Sequence, residues 1–343
     1  MKKNIALIYG GEGRERGISM LSARQIYALI DKEKYDVIPV YISVNGNWYF
    51  PGADPFGNLP TAGASPTYPV RLHGISGFLS GSGILPVSVA LPILHGDFGE
   101  DGIIQGALET AHIKYVGCKT AVSSVCADKA YVKAIAESLS IKTAKYVIER
   151  SSGHEAMKRA EELAEERFGY PMFIKPIGLG SSIGASSVRT KDEFDKAFIS
   201  AARHGAGVLI EELIDVACEV ECAALYDGER GVFSAGGIIR TDGKAYGFGE
   251  KYMSLGKITV THTKENYDGR AEIEDAAKRL AEAIGITGLS RIDFFVTREG
   301  EIYFNEINTM PGMTKNSLYP VLTEDMGYSA GEFINLLIDG AIG

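Results

Sequence analysis

Asp293, Glu306 and Asn308 are the residues of this 343-residue chain whose types and spacing point most directly at chemistry. They sit in two short apolar runs, RIDFFVT and EIYFNEIN, at positions where a buried strand would prefer Val or Leu. If Glu299-Gly300 forms a two-residue turn between the runs, the hairpin sets Asp293 directly opposite Glu306. Alternation along each strand puts Asn308 on the face of Glu306 and Arg291 on the face of Asp293. Like charges about 5 Å apart across a sheet are destabilising unless a cation lies between them. Oxygen donors of this kind suit magnesium, which is commonly held by one or two carboxylates plus substrate phosphates. The competing reading is an edge hairpin with solvated acids. The apolar surroundings and the polar continuation NTMPGMTKNS at the strand end weigh against it.

Phosphate handling is the natural companion of such a site. In YPMFIKPIGLGSSIGASSV a strand delivers Lys175, followed by a loop with Gly178, Gly180, Gly184, Ser181 and Ser182. Glycines let backbone N–H groups approach phosphate oxygens closely, and the lysine adds a point charge. The alternative is a flexible turn. No GxxxxGK[ST] occurs anywhere, so this is not a Walker loop. In YGGEGRERGIS, Gly11 and Gly13 start a dinucleotide fingerprint that fails at Arg16. Glu15 there either binds a cationic amine or favours a helix dipole. LPILHGDFGEDGIIQG follows another strand with His95, Asp97, Glu100 and Asp101, where a lone histidine is more often structural than catalytic. There is no plausible Ser-His-Asp nucleophile elbow of the GxSxG kind and no HExxH, which disfavours hydrolases.

The elements that must position these residues follow from periodicity. Up to about residue 120, apolar runs (IALIYGG, YDVIPVYIS, VSVALPILHG) alternate with helical patterns near Ser19 to Ile30 and Ile103 to Thr110, which predicts a parallel sheet of the dinucleotide-fold type. Residues 121–214 read as a small α+β unit, with helices near Lys129 to Leu139 and Glu155 to Phe168 and the strands YPMFIKPI and GVLIEELI. Residues 215–343 carry the strands CEVECAALYDG and VFSAGGIIR, a glycine-rich loop from Gly243 to Gly256, a helix from Ile273 to Ile284, and the hairpin. The chain therefore reads as α/β and α+β, in three units packed as one body.

Composition bounds the rest. At 45% hydrophobic and 23% charged residues, the chain is long enough for two or three globular domains. The net charge of −9 argues against general nucleic-acid or membrane-surface binding. The apolar stretch before Leu94 is broken by Ser, Gly, Pro86 and Pro92, so it reads as strands and turns and not as a membrane span of about 20 residues. The first apolar run is too short for a signal-peptide core. Cys118, Cys126, Cys218 and Cys222 make no paired CxxC framework and read as buried thiols in a reducing cytoplasm.

Taken in order, GGEGRERGIS, LHGDFGEDGIIQG, ADK, FIKPIGLGSSIG, LIEELI, GEKYMS, SRIDFF and FNEINTMPGMTKNSL resemble the D-alanine:D-alanine ligase family of ATP-grasp enzymes over nearly the whole chain. The resemblance implies a three-domain ATP-grasp fold with a Rossmann-like N-terminal domain. It implies ATP as co-substrate and two Mg2+ ions, for which Mn2+ substitutes, held by Asp293, Glu306 and Asn308. Lys129, Lys175 and Ser182 would contact the phosphates, Glu211 the adenine amine, Ile214 the adenine pocket, and Glu219, or Glu221 two residues on, the ribose. Glu15, supported by Ser181 and Tyr252, would bind the first amino group. Arg291 and the Gly312 N–H would stabilise the oxyanion, and His95, Lys251, Ser317 and Leu318 would line the substrate sites. The loop around Tyr252 would act as a lid.

The family's reaction joins two D-alanines through an acyl phosphate for cell-wall precursor synthesis, in the cytoplasm and as a homodimer. Three departures stand out: VTHTKE after the lid, an extra residue between Ile214 and Glu219, and Glu212 in place of a lysine. A D-alanine:D-serine ligase is the near rival, and Leu318 favours the smaller acceptor. From other classes, a nicotinamide-dependent oxidoreductase would explain the first sheet but not the hairpin, and a non-catalytic ATP sensor would not need Arg291.

Overall fold

The computed structural model describes the chain apart from residues 1, 53, 58, 60–65, 179, 181–182, 227–229, 242–257, 264–265 and 315–316. At 240–241, 258–260 and 262 it describes the backbone alone.

The first sheet is built from β1 (Lys3–Gly10), β2 (Tyr35–Ile42), β3 (Trp48–Tyr49) and β7 (Val89–Ile93), in the order β3-β2-β1-β7. β1 runs parallel to both β2 and β7, whereas β3 is antiparallel. β1 is apolar on both faces because both are covered, as parallel strands require. Ile5, Leu7 and Tyr9 enter one core cluster, Ala6 and Ile8 another. Helix α1 (Arg16–Leu29) follows a sharp exit at Gly10, which has φ +99 and where a Cβ would meet the Ile42 carbonyl at 2.2 Å. Only glycine fits there. The apolar stretch up to Leu94 forms strands and turns as expected: β5 (Ile75–Ser80) and β6 (Gly83–Pro86) make a small antiparallel sheet with β4 (Tyr68–Leu72) ahead of β7, and α2 (Ile103–Thr110) closes the unit.

Next come α3 (Thr120–Ala127), α4 (Lys129–Ser138), β8 (Tyr146–Glu149), α5 (His154–Arg167), β9 (Met172–Pro176), β10 (Ser186–Val188), α6 (Lys191–Ala202) and β11 (Val208–Glu212). Their strands form an antiparallel sheet in the order β10-β9-β11-β8. Met157, Ala160, Phe194 and Phe198 of α5 and α6 pack on one face, against Met172, Ile174 and Ile210. The other face carries Tyr146, Leu209 and Ile177, which meet Ala130 of α4.

The last unit holds β12 (Val216–Tyr226), β13 (Gly231–Thr241), β14 (Ile258–His262), α7 (Arg270–Ile284), β15 (Leu289–Thr297), β16 (Ile302–Asn308), α8 (Leu318–Asp325) and α9 (Ala330–Ile342). Its sheet runs β14-β13-β12-β15-β16, antiparallel throughout. α3 and α4, which the sequence groups with the second unit, pack on this third sheet: Cys126, Val132 and Ala136 join Ile292, Phe294 and Phe304 in its core. Tyr319, Leu322, Phe333 and Ile334 of the C-terminal helices pack with Ile5, Leu7 and Ile93, so the chain's end covers its first sheet. The four cysteines are free thiols, three of them buried.

The hairpin departs from expectation in an instructive way. The turn holds three residues, Arg298 to Gly300, with Thr297 N–H donating to the Glu301 carbonyl at 2.9 Å and Gly300 at φ +81. That three-residue pattern with a left-handed glycine is a standard alternative to the two-residue turn, and it moves the register by one. Phe294 accordingly pairs with Phe304, but a bulge at Asn305 restores the count, and Asp293 does pair with Glu306. A second bulge, at Ala217 between Val216 and Cys218, accommodates the extra residue ahead of Glu219.

Candidate functional site

Three carboxylates stand in one cross-strand row: Glu221 on β12 pairs with Asp293 on β15, which pairs with Glu306 on β16. Left alone they would repel. Arg291, one pleat along on the same face, grips Asp293 with Nε–Oδ1 at 2.7 Å and Nη2–Oδ2 at 2.6 Å, and its Nη1 lies 3.4 Å from Glu221 Oε1. The two-point contact fixes the planar guanidinium. Burial opposes the charge of Arg291, but Asp293 and Glu221 outweigh it and hold the group more firmly protonated than usual. Lys129 Nζ lies 3.5 Å from Glu306 Oε2. Asn308 Oδ1 accepts from the Met310 N–H at 2.9 Å.

Lys129 is delivered by α4. Asp128 caps that helix, accepting from Ala130 and Tyr131 N–H. Lys133 is one turn on and therefore shares the face of Lys129. Its Nζ lies 2.6 Å from Glu211 Oε1, and Lys175 Nζ lies 2.8 Å from Glu211 Oε2 and 3.2 Å from Asn305 Oδ1. Burial would raise the Glu211 carboxyl, yet Lys133 and Lys175 pull it down to about 2. Burial lowers the ammonium pKa of Lys129 and Lys133, partly offset by Glu306 and Glu211 respectively. Lys133 escaped the sequence reading. The signal available was a second lysine at i+4 on a helix whose inner face is otherwise Ala, Val and Ile.

The first unit closes the cleft. Glu15 precedes α1 without making a side-chain cap bond, and its Oε2 lies where a Cβ on Gly96 would come within 2.5 Å. The carboxylate is thus turned toward the His95–Gly96 loop. His95 is buried, which pushes its pKa down. Its Nδ1 sits 3.0 Å from the Met310 carbonyl and its Nε2 3.1 Å from Ser22 Oγ. A carbonyl only accepts, so Nδ1 carries the proton and Nε2 accepts from the serine. His95 therefore ties the first unit to the loop after β16 while lining the cleft. Glu100 accepts from Gly96 N–H at 2.9 Å; burial, then the charge of Glu15, pushes its pKa up to about 8.

Glu15, His95, Lys129, Gly178, Gly180, Arg291, Glu306, Asn308 and Gly312 all line one cavity. A Cβ at Gly312 would lie 2.8 Å from Ser317 Oγ, whose own partners are Thr314 N at 3.1 Å and Thr314 Oγ1 at 2.8 Å. Leu318 is buried at the start of α8. Glu219 and Ile214 are half-buried and lie outside the cavity's lining; Glu219 pairs with Phe295 and Ile239, two residues before Glu221 on the same face. Ser181, Ser182, Lys251 and Tyr252, and with them the lid, lie outside the described residues.

The donor set fits a hard divalent cation: Asp293, Glu306 and Asn308 offer only oxygen, and two of them are direct cross-strand neighbours. Among the described residues, no group of three or more His, Cys, Asp or Glu forms a metal cage by itself. Remaining ligands would come from nucleotide phosphates, as is usual for magnesium.

Residues 4–118 match the family model described as D-ala D-ala ligase N-terminus, and residues 135–339 match D-ala D-ala ligase C-terminus. The chain belongs to the D-alanine–D-alanine ligase family. It is accordingly a ligase that forms a carbon–nitrogen bond with ATP. A D-alanine–D-alanine ligase from a Thermoanaerobacter species is 35% identical, covering 99% of this chain and 97% of its own. Among solved structures, the VanG D-Ala:D-Ser ligase from Enterococcus faecalis has TM-score 0.89 and 32% identity, covering 99% of this ligase and 100% of that chain. D-alanyl-alanine synthetase A from Vibrio cholerae has TM-score 0.84 and 27% identity, covering 100% and 99%. The three-domain ATP-grasp fold is thereby the fold of this ligase.

Proposed function

We propose that this ligase joins two D-alanines into D-alanyl-D-alanine for peptidoglycan precursor synthesis, with D-alanine in both the donor and acceptor places. The observation that carries the reading is the meeting of Glu15, Lys129, Arg291, Glu306, Asn308 and Gly312 in one cavity. Those groups supply an anchor for an ammonium, cations for phosphates and donors for an oxyanion.

In the first step a carboxylate oxygen of the first D-alanine attacks the γ-phosphorus and ADP leaves, forming an acyl phosphate. The amine of the second D-alanine then attacks the acyl carbon, loses its proton, and phosphate departs. Negative charge develops in both steps, so pre-positioned cations and N–H donors dominate catalysis. Glu15, with Ser181 and Tyr252, holds the first ammonium; Arg291 and the Gly312 N–H meet the oxyanion; Lys129, Lys175 and Ser182 bind phosphate oxygens. His95, Lys251, Ser317 and Leu318 shape the amino-acid sites. Glu211, Ile214 and Glu219 serve the adenosine. The contact of Glu221 with Arg291 favours Glu219 for the ribose. Two Mg2+ ions at Asp293, Glu306 and Asn308, replaceable by Mn2+, neutralise the phosphate charge when bound.

We further propose the division into units 1–120, 121–214 and 215–343, a cytoplasmic setting, and a homodimer formed through the first unit. Tyr68, Leu72, Ile75 and Leu79, each at least 37% exposed, share one face of the β4–β5 pair and support the dimer. A second reading, D-serine as acceptor, has the likeness to the VanG enzyme in its favour. The test is phosphate release from Mg·ATP with D-alanine alone, then with D-serine, D-lactate or L-alanine added, identifying products by mass. D-alanyl-D-alanine from D-alanine alone supports the main reading. Turnover only with D-serine moves the assignment to the rival. The absence of stimulation by any D-amino acid overturns both.

A further inference from the structure

Lys133 lies outside the lining of the cavity, is 1% exposed, and still belongs to the charge system behind the phosphate lysine. The register explains how. Leu209 of β11 pairs with Lys175 of β9, so Glu211, two residues on, shares the face of Lys175 at the diagonal position. Tyr146 of β8 pairs with Glu211 and shares that face as well. From above, α4 inserts Lys133 between them: its Nζ is 2.6 Å from Glu211 Oε1 and 5.4 Å from the centre of the Tyr146 ring. Glu211 thus holds one lysine on each oxygen, and Asn305, the bulge residue of β16, holds Lys175 from the far side at 3.2 Å.

A buried ion pair is a weak source of stability, because desolvation offsets its attraction. What Lys133 changes is the charge balance. Glu211 paired with Lys175 alone would orient that ammonium and cancel it in the same contact. With Lys133 present the cluster keeps one net positive charge, and Lys175 is both aimed and still able to attract phosphate.

We propose that Lys133 is a positioning residue for nucleotide binding, acting through Glu211 to leave Lys175 oriented but not neutralised. This rests on the proposed role of Lys175 at the phosphates, and not on which amino acid is joined. The test is the affinity of Mg·ADP, by titration calorimetry, for wild type, Lys133→Met and Lys133→Gln. Lys133→Met is expected to bind about ten- to thirtyfold more weakly, the effect of one charge several ångströms away in a partly buried site. Steady-state kinetics should show the same split, with KM for ATP raised and KM for D-alanine unchanged. Lys133→Gln, which retains a donor to Glu211, gives the same reading should the Met variant fail to fold by circular dichroism.

Lys133→Met binding Mg·ADP as wild type does, with only its Tm lowered, would reduce Lys133 to a structural role. Lys133→Gln binding as tightly as wild type would equally overturn the inference, because that variant keeps a donor to Glu211 and lacks the charge. Wild-type failure to turn over D-alanine, with the ADP pattern intact, would sink the substrate assignment alone.

Discussion

The end of the β15–β16 hairpin and the contact of α4 with β11 are both buried clusters of acids and bases, but they are organised differently. On the hairpin, three carboxylates in a row face one arginine and one lysine, Arg291 and Lys129. At the α4–β11 contact, one carboxylate faces two lysines. The acidic cluster is suited to receiving cations, the basic one to receiving phosphate. The two meet at β16, where Asn305 holds Lys175 and the next residue, Glu306, belongs to the acidic row. The lesson is that polarity here is set by which charge is in excess at each place, while the whole chain, at −9, is merely acidic.

The hardest blow to this contrast is Arg291→Ala. It removes the base that keeps Glu221 and Asp293 together and the donor assigned to the oxyanion. We expect kcat to fall by about 10²–10³, as for loss of an oxyanion donor, with Mg·ADP affinity kept within a few-fold. Turnover that persists would remove Arg291 from the oxyanion role and leave it serving only the fold.

A gentler test separates the two clusters by pH. The folded pKa of Glu211 is held at about 2 against an ordinary 4.5, so its contribution is complete above about 4.5 and is lost as pH falls through about 2. At about 1.4 kcal/mol per unit, the stability difference between wild type and Glu211→Gln should shrink by about 3 kcal/mol between about pH 6 and pH 2. Urea unfolding at a series of pH values reads this directly, and a pH-independent difference would contradict the charge assignment.

The smallest effect belongs to the exposed pair at the base of the same hairpin. Lys142 Nζ lies 2.6 Å from Glu301 Oε1, a shorter contact than Lys129 makes with Glu306, yet both partners are about half exposed. Water screens such a pair, so Glu301→Gln should move the Tm by no more than about 2 °C and leave kinetics untouched. A large shift would show that this tie between the units bears on the cleft.

Much of the molecule was legible in advance because it depends on short-range regularities. The helix at Ile103–Thr110 matches its periodicity, and α1, α4, α5 and α7 differ from expectation only at their ends. The facing of Asp293 and Glu306 was inferred from strand alternation, although the inferred turn was one residue short and the bulge at Asn305 supplied the compensation. Neither deviation could be read locally, since a bulge is a tertiary adjustment to what lies across the strand. Lys133 read as an ordinary helix lysine because nothing within its own turn says that Glu211, 78 residues later, will be folded over it.

By itself, then, the sequence determined most of the strands and helices, which residues are candidates to hold a cation or phosphate, and, through the order of its motifs, the family. Alternation, helical period and the backbone demands of glycine are properties of neighbours along the chain, and a linear text records them. The tertiary structure alone decided which charges meet: that Glu221 joins Asp293 and Arg291, that α3 and α4 pack on the third sheet, and that Lys133 and Lys175 share one carboxylate. Burial makes those pairings consequential, because an ammonium or carboxylate removed from water must find its partner wherever the fold has brought one.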